Sequence, residues 1–143
     1  IAELVLAPVL ADDHVHIKRV ATSRAASFVK VAVDTYRSGE DVIAACKPLL
    51  YEFRTYTSRT IALVKYHSEL ESYIREALAP APSRSVRRVD VYREEHQARV
   101  IVERGTIAQF LGRKGMNAAV ASKLTGYGLV LVDEGDLGKV GGA

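Results

Sequence analysis

A single cysteine, Cys46, no tryptophan and only four prolines mark this chain of 143 residues. One cysteine excludes an internal disulfide and fits a reducing cytoplasm. No apolar run approaches the roughly 18–20 residues needed to span a bilayer, so no membrane partner is expected. The apolar start, Ile1–Leu10, is broken by Glu3 and Pro8 and has no basic flank, unlike a secretion signal. Aromatic residues are few, at 7%. No pair of carboxylates and no nucleophile–base set is spaced for catalysis, and no enzyme is expected. Asp12-Asp13-His14-Val15-His16 puts two histidines on one side of a strand, but no Cys–His pair follows at zinc spacing. These read as surface histidines, with no metal and no cofactor. Cys46, in an apolar helical pattern, reads as a small core residue.

What the chain does have is ordinary globular composition, 48% hydrophobic and 26% charged, with a formal charge of +3. That charge is uneven. Residues 1–80 carry 10 basic and 10 acidic side chains, whereas residues 81–143 carry 10 basic and 7 acidic. Between Arg84 and Gly115 the balance is 8 basic against 4 acidic. A basic second half suggests a polyanionic partner, although charge alone equally describes a solvated face.

The elements fall into two similar series. Val15–Val20 and Phe28–Val33 read as a hairpin around a Thr22–Ala26 turn. A helical pattern follows from Ser38 through Phe53, interrupted at Pro48. Thr60–Tyr66 reads as a third strand. Ser68 is expected to cap the next helix, with Glu71 as its capping-box partner and Leu70, Tyr73, Ile74, Ala77 and Leu78 on its apolar stripe. After Ala79-Pro80-Ala81-Pro82-Ser83 the order returns. Val86–Tyr92 and Ala98–Val102 alternate as strands, and Thr106 caps a short helix through Leu111. Gly112-Arg113-Lys114-Gly115 interrupts it, Met116–Thr125 resumes it with Gly126 as C-cap, and Tyr127–Val132 is a last strand. The predicted fold class is α+β, an architectural duplication without residue identity. Its boundaries are expected at 1–79, a linker at 80–84, a second unit at 85–132, and a glycine-rich, loose tail at 133–143.

The Gly112–Gly115 loop carries the candidate chemistry. Glycine at both ends permits positive φ and close approach of a nucleic-acid backbone. The unpaired amides of the following helix, together with Arg113 and Lys114, supply donors for phosphate. Helix–GxxG–helix, preceded by paired strands and followed by one strand, resembles the KH domain, which clamps single-stranded RNA with that loop.

The resemblance is closest to the paired KH domains of the NusA family of transcription elongation, termination and antitermination factors. Gln97–Val102 with Ala108–Gly126, including Gly-Arg-Lys-Gly, is similar to the second KH domain. Glu76–Ala81 is similar to the connection between the two domains, and His16–Ala21 with Val29–Val33 to the opening hairpin of the first. The short archaeal form, little more than a KH pair, is the nearer likeness. The resemblance implies tandem KH domains of prokaryotic (type II) topology, each a three-stranded sheet covered by helices. The implied protein is a monomer whose partners are single-stranded RNA and RNA polymerase or a transcription complex. It carries Gly112, Arg113, Lys114 and Gly115 over as the phosphate clamp. Asn117 is expected at a base edge or as a helix cap, Lys123 near the RNA backbone, and Arg99 and Arg104 on the groove's other wall. The first unit departs from the pattern: Lys47-Pro48-Leu49-Leu50 stands where the family has GxxG. That unit reads as a degenerate domain that braces the second or extends the RNA path through Lys47, Arg54 and Arg59. Two other readings stay open: an accessory KH subunit of a ribosomal or RNA-processing complex, and a polymerase-docking module with incidental RNA contact.

Overall fold

The computed structural model describes residues 15–23, 27–35 and 60–141. Lys47–Leu50, Arg54, Arg59, Cys46 and the Asp12–His14 stretch lie outside the described residues. Two three-stranded sheets are present among those described. In the first, β1 (Val15–Thr22) pairs antiparallel with β2 (Phe28–Thr35), and β2 pairs parallel with β3 (Thr60–Lys65). In the second, β4 (Val86–Tyr92), β5 (Gln97–Val102) and β6 (Gly128–Asp133) repeat that order and those directions. The fold is α+β with two KH-type units.

The likeness extends to the register. Each sheet has a bulge in its first strand, between Ile17 and Arg19 opposite Val33 and Ala32, and between Val86 and Arg88 opposite Val102 and Ile101. Counting back from the bulge, Lys30 and Arg99 hold the same position on their central strands. A bulge shifts the pleat by one residue and so fixes which face each later side chain meets.

Four helices are described. α1 (Leu70–Ala77) leaves the first sheet, α2 (Ile107–Leu111) and α3 (Met116–Thr125) follow β5, and α4 (Glu134–Gly141) closes the chain. α1 does not begin at a Ser68 cap. Glu69 is the N-cap, in extended conformation, and its carboxylate instead accepts from Ser72 Oγ at 3.1 Å. Thr106 does precede α2, yet its hydroxyl donates to the Glu103 carbonyl at 2.6 Å rather than accepting from a first-turn amide.

The core explains why the units adhere. Tyr73, Ile74 and Ala77 of α1, Val100 and Val102 of β5, Phe110 of α2 and Val120 and Leu124 of α3 share one buried cluster with Ala21, Ala32 and Val64 of the first sheet. α3 contacts β1 and β2 as well as its own sheet. Packing therefore does not divide at residue 79: α1 sits against β3, β4 and α3 together. Lys30, with no exposed surface, donates through Nζ to the carbonyl of Ala77 and to that of Ala79 at 2.6 Å. It thus meets the carbonyl end of α1, where a cation complements the helix dipole.

The expected loose tail is corrected. Asp133 Oδ1 accepts from Gly135 N at 2.7 Å, as an N-cap aspartate does, and Glu134 and Asp136 occupy the acidic first turn of α4. Arg87 Nε donates to Glu134 Oε2 at 2.8 Å, and that hydrogen bond raises the guanidinium's pKa. A Cβ on Gly135 would lie 2.9 Å from Arg104 Nε and 3.0 Å from Asp133 Oδ1. This glycine serves close packing, where the sequence pattern suggested slack. No helix of the described residues is long and apolar enough to cross a membrane.

Candidate nucleic-acid interface

The loop between α2 and α3 is built almost entirely from left-handed backbone. Gly112 has φ 74°, Lys114 φ 54° and Gly115 φ 73°, with Arg113–Gly115 forming one turn of 3-10 helix. Gly112 N donates to Ala108 O at 3.0 Å and ends α2; Gly115 N donates to Gly112 O at 3.0 Å and closes the turn. A Cβ on Gly112 would stand 2.6 Å from Asn117 Cβ and 3.1 Å from Asn117 N, so glycine is demanded there by both φ and space. Nothing lies within 4 Å of the equivalent position on Gly115, which leaves the tip open to a ligand.

Arg113 and Lys114 project from this tip as exposed side chains, with no ion pair or hydrogen bond among the described residues. Met116 N, the first amide of α3, donates to Arg113 O inside the turn, and no side chain caps the helix. Two exposed cations, a helix N-terminus and an unobstructed backbone are the chemistry that a phosphate cradle requires. Beside it Ile107 of α2 and Leu129 and Leu131 of β6 are half-buried on the core, and Leu111 is 40% exposed. They form an apolar strip on which bases can lie. The sequence pattern did not single out Leu129 and Leu131; their alternation along an edge strand beside the loop is the signal.

Four other expected residues are placed elsewhere. Asn117 is 4% exposed, and its Nδ2 donates to Leu78 O at 2.8 Å and Phe110 O at 2.9 Å. Both donors are spent on protein, its Oδ1 is buried with no hydrogen-bond partner, and it does not cap α3. It ties the loop to the connection after α1, where the Ala79–Pro80 peptide is cis. Arg99 lies on the far side of its sheet: Ala98, Val100 and Val102 face α2 and α3, and side chains alternate along a strand. Its Nε is buried without a hydrogen-bond partner. Arg104 precedes α2 at the end remote from the loop and lies against Gly135. Lys123, in the last turn of α3, donates to Thr22 O on β1 at 3.2 Å. Of the eight expected residues, the structure gathers only Gly112, Arg113, Lys114 and Gly115 into one surface.

Comparison with known proteins agrees with this geometry. The sequence profile of the NusA-like second KH domain matches residues 70–139, from the start of α1 into α4. Residues 70–139 are a NusA-like second KH domain. It is 30% identical over 125 residues to the transcription termination/antitermination protein NusA of Mycobacterium tuberculosis strain H37Rv, covering 84% of this chain and 35% of that protein. It is 28% identical over 142 residues to the Bacillus subtilis NusA, covering 94% and 36%. With the Rickettsia prowazekii NusA it shares 26% over 135 residues, covering 89% and 26%. The chain thus spans roughly a quarter to a third of these relatives' lengths. The crystal structure of APE1850 superposes with a TM-score of 0.57 at 18% identity, covering 91% of both chains, which speaks for the fold.

A methyl group at Gly112 should be enough to disable the NusA-like loop. Gly112→Ala adds a Cβ into Asn117 at a φ that alanine resists, a cost of about 1–3 kcal/mol. We expect a lower unfolding midpoint together with weaker RNA binding, read by thermal melts and anisotropy. Gly115→Ala, facing open space, should destabilise less. Equal destabilisation by the two substitutions would refute this account of Gly112.

Proposed function

We propose that this chain binds single-stranded RNA through the Gly112–Gly115 loop of its second KH domain. We further propose that it acts, without catalysis of its own, in transcription elongation, termination or antitermination, with the transcription complex as its setting. The observation that supports this reading is the loop: three residues at positive φ, an open backbone at Gly115, and exposed Arg113 and Lys114 with no ion pair among the described residues. Phosphate contacts give the affinity, and the Ile107–Leu129–Leu131 strip gives contact with about four bases. The relatives named as transcription termination/antitermination proteins support the biological setting.

The test is a titration of a pool of short single-stranded RNAs across salt concentrations, with DNA counterparts alongside. If three or four phosphates are engaged, log K should fall against log salt with a slope of about −2 to −3. A flat response, or no binding of any RNA, would refute the proposal.

A further inference from the structure

A cavity of about 250 Å³ lies where the two units meet, away from the loop. Arg19 of β1, Tyr66 and His67 after β3, Tyr73 of α1, Arg93 of the β4–β5 turn and Tyr127 before β6 line it, and among the described residues no carboxylate does. We propose that this cleft is a second nucleotide site, which takes one aromatic base with its phosphate. Its size, just under the usual range for small-molecule pockets of about 300–1,000 Å³, suits a single such unit.

The charge is right for phosphate. Arg19 and Arg93 are both exposed and have no ion-pair partner among the described residues. Arg19 reaches from the first sheet to within 3.7 Å of where a Cβ on Gly126 would stand, so it bridges toward the second unit. Lys18 Nζ lies 5.6 Å from the centre of the Tyr66 ring, adding a third cation at the rim. Planar, multidentate guanidinium groups are the preferred partners of phosphate.

The aromatic groups are right for a base. The rings of Tyr66 and Tyr73 meet edge to face, 5.0 Å apart at 63°, and Tyr73 is fixed by its hydroxyl donating to Leu124 O at 3.2 Å. Tyr127 is braced by His96, 5.6 Å away. His96 itself stands at φ 52°, uncommon outside glycine, and its carbonyl accepts from Gly128 N at 2.8 Å. That conformation sets its ring beside Tyr127. His67 Nε2 is buried with no hydrogen-bond partner; Glu76 Oε1, at 4.0 Å, is too far.

Position links the cleft to the loop. α3 runs from the loop at its N-terminus to Thr125, which also lines the cleft, a span of about 15 Å for its 10 residues. A strand held at Gly112–Gly115 therefore enters the cleft a few nucleotides on. In that strand form the proposal rests on the RNA-binding reading above; a free nucleotide would not need it.

The experiment titrates the full chain with RNA of four and of ten nucleotides and with adenosine monophosphate. It compares the wild type with Arg19→Ala/Arg93→Ala, with Arg93→Glu, and with Arg113→Asp/Lys114→Asp. Both cleft variants alter exposed side chains and should keep the unfolding midpoint. We expect them to weaken the ten-nucleotide strand about tenfold, the scale of one stacked base, while leaving the four-nucleotide strand within twofold. Loss confined to adenosine monophosphate would support the site with a free nucleotide as occupant. Unchanged binding of both the ten-nucleotide strand and adenosine monophosphate would overturn the proposal even if the loop variant abolishes RNA binding. Should the wild type bind no RNA at all, the loop reading fails, and the adenosine monophosphate titration alone decides the cleft.

Discussion

Arg113→Asp with Lys114→Asp is expected to abolish RNA binding while leaving the unfolding midpoint nearly unchanged. Both side chains are exposed and neither bonds another described residue, so the folded state loses no contact. Surface substitutions of this kind usually change stability by less than about 0.5 kcal/mol. Aspartate is also an ordinary occupant near a helix N-terminus, where it complements the dipole. The bound state loses far more. Two attractive charges become two repulsive ones beside the phosphates, a swing of four charges at the tip. The double variant should therefore fall to the detection limit of an anisotropy titration, at least about a hundredfold weaker. The two readouts separate the alternatives. A loss of fold would mean that the Gly112–Gly115 turn is a purely structural connection between packed helices. An intact fold with intact binding would move the RNA site elsewhere.

How much of this was readable without coordinates follows from the range over which each residue acts. The strands, the break between α2 and α3, and Gly126 as a C-cap are local features that period, turn chemistry and capping announce within a few residues. The Gly112–Gly115 loop was legible for the same reason. The partners of Asn117 are not legible locally, because Leu78 lies 39 residues from it; no window around the loop contains that residue. Lys30 was read as one position in a strand, although a lone lysine inside Phe28–Val33, where every neighbour is apolar, is itself a sign of an internal partner. The β5 arginine, Arg99, was placed on the wrong wall because strand alternation was not carried through to the face that α2 and α3 cover. α4 was missed because glycine was taken for looseness, while Asp133, Glu134 and Asp136 form a helix start that capping rules recognise. What the sequence pattern hides is chiefly the seam between the units, whose contacts join residues tens of positions apart.

That seam yields the second large effect: folding stability should rise with pH between about 7 and 9.5. Burial pushes the Lys30 ammonium down from 10.5 to about 7. An unfolded chain keeps that proton up to its ordinary value near 10.4. Across the window the unfolded state holds a proton that the folded state has released, so raising pH favours folding, by up to about 1.4 kcal/mol per pH unit. The benefit is fully present above the unfolded value and is lost as pH falls through 7. Summed to pH 9.5 the effect is of order 2–3 kcal/mol, large against a typical total of about 5–15 kcal/mol. Burial also raises the Tyr73 hydroxyl to about 12. Its contribution is complete below the ordinary tyrosine value near 10 and fades only above it, so measurement below pH 9.5 isolates the lysine. Two influences on Lys30 compete. Desolvation expels the proton, while the carbonyls of Ala77 and Ala79 and the dipole of α1 hold it. The neutral amine retains two donors for the same two carbonyls, so deprotonation need not break the seam. Urea unfolding at pH 7, 8.25 and 9.5 should show the rise in the wild type and a flat profile for Lys30→Met. At pH 9.5 the variant should be the weaker protein, because two buried carbonyls lose their donor at about 1–3 kcal/mol each. A flat wild-type profile would mean that the helix end outweighs burial and that Lys30 remains a fixed cation at the seam.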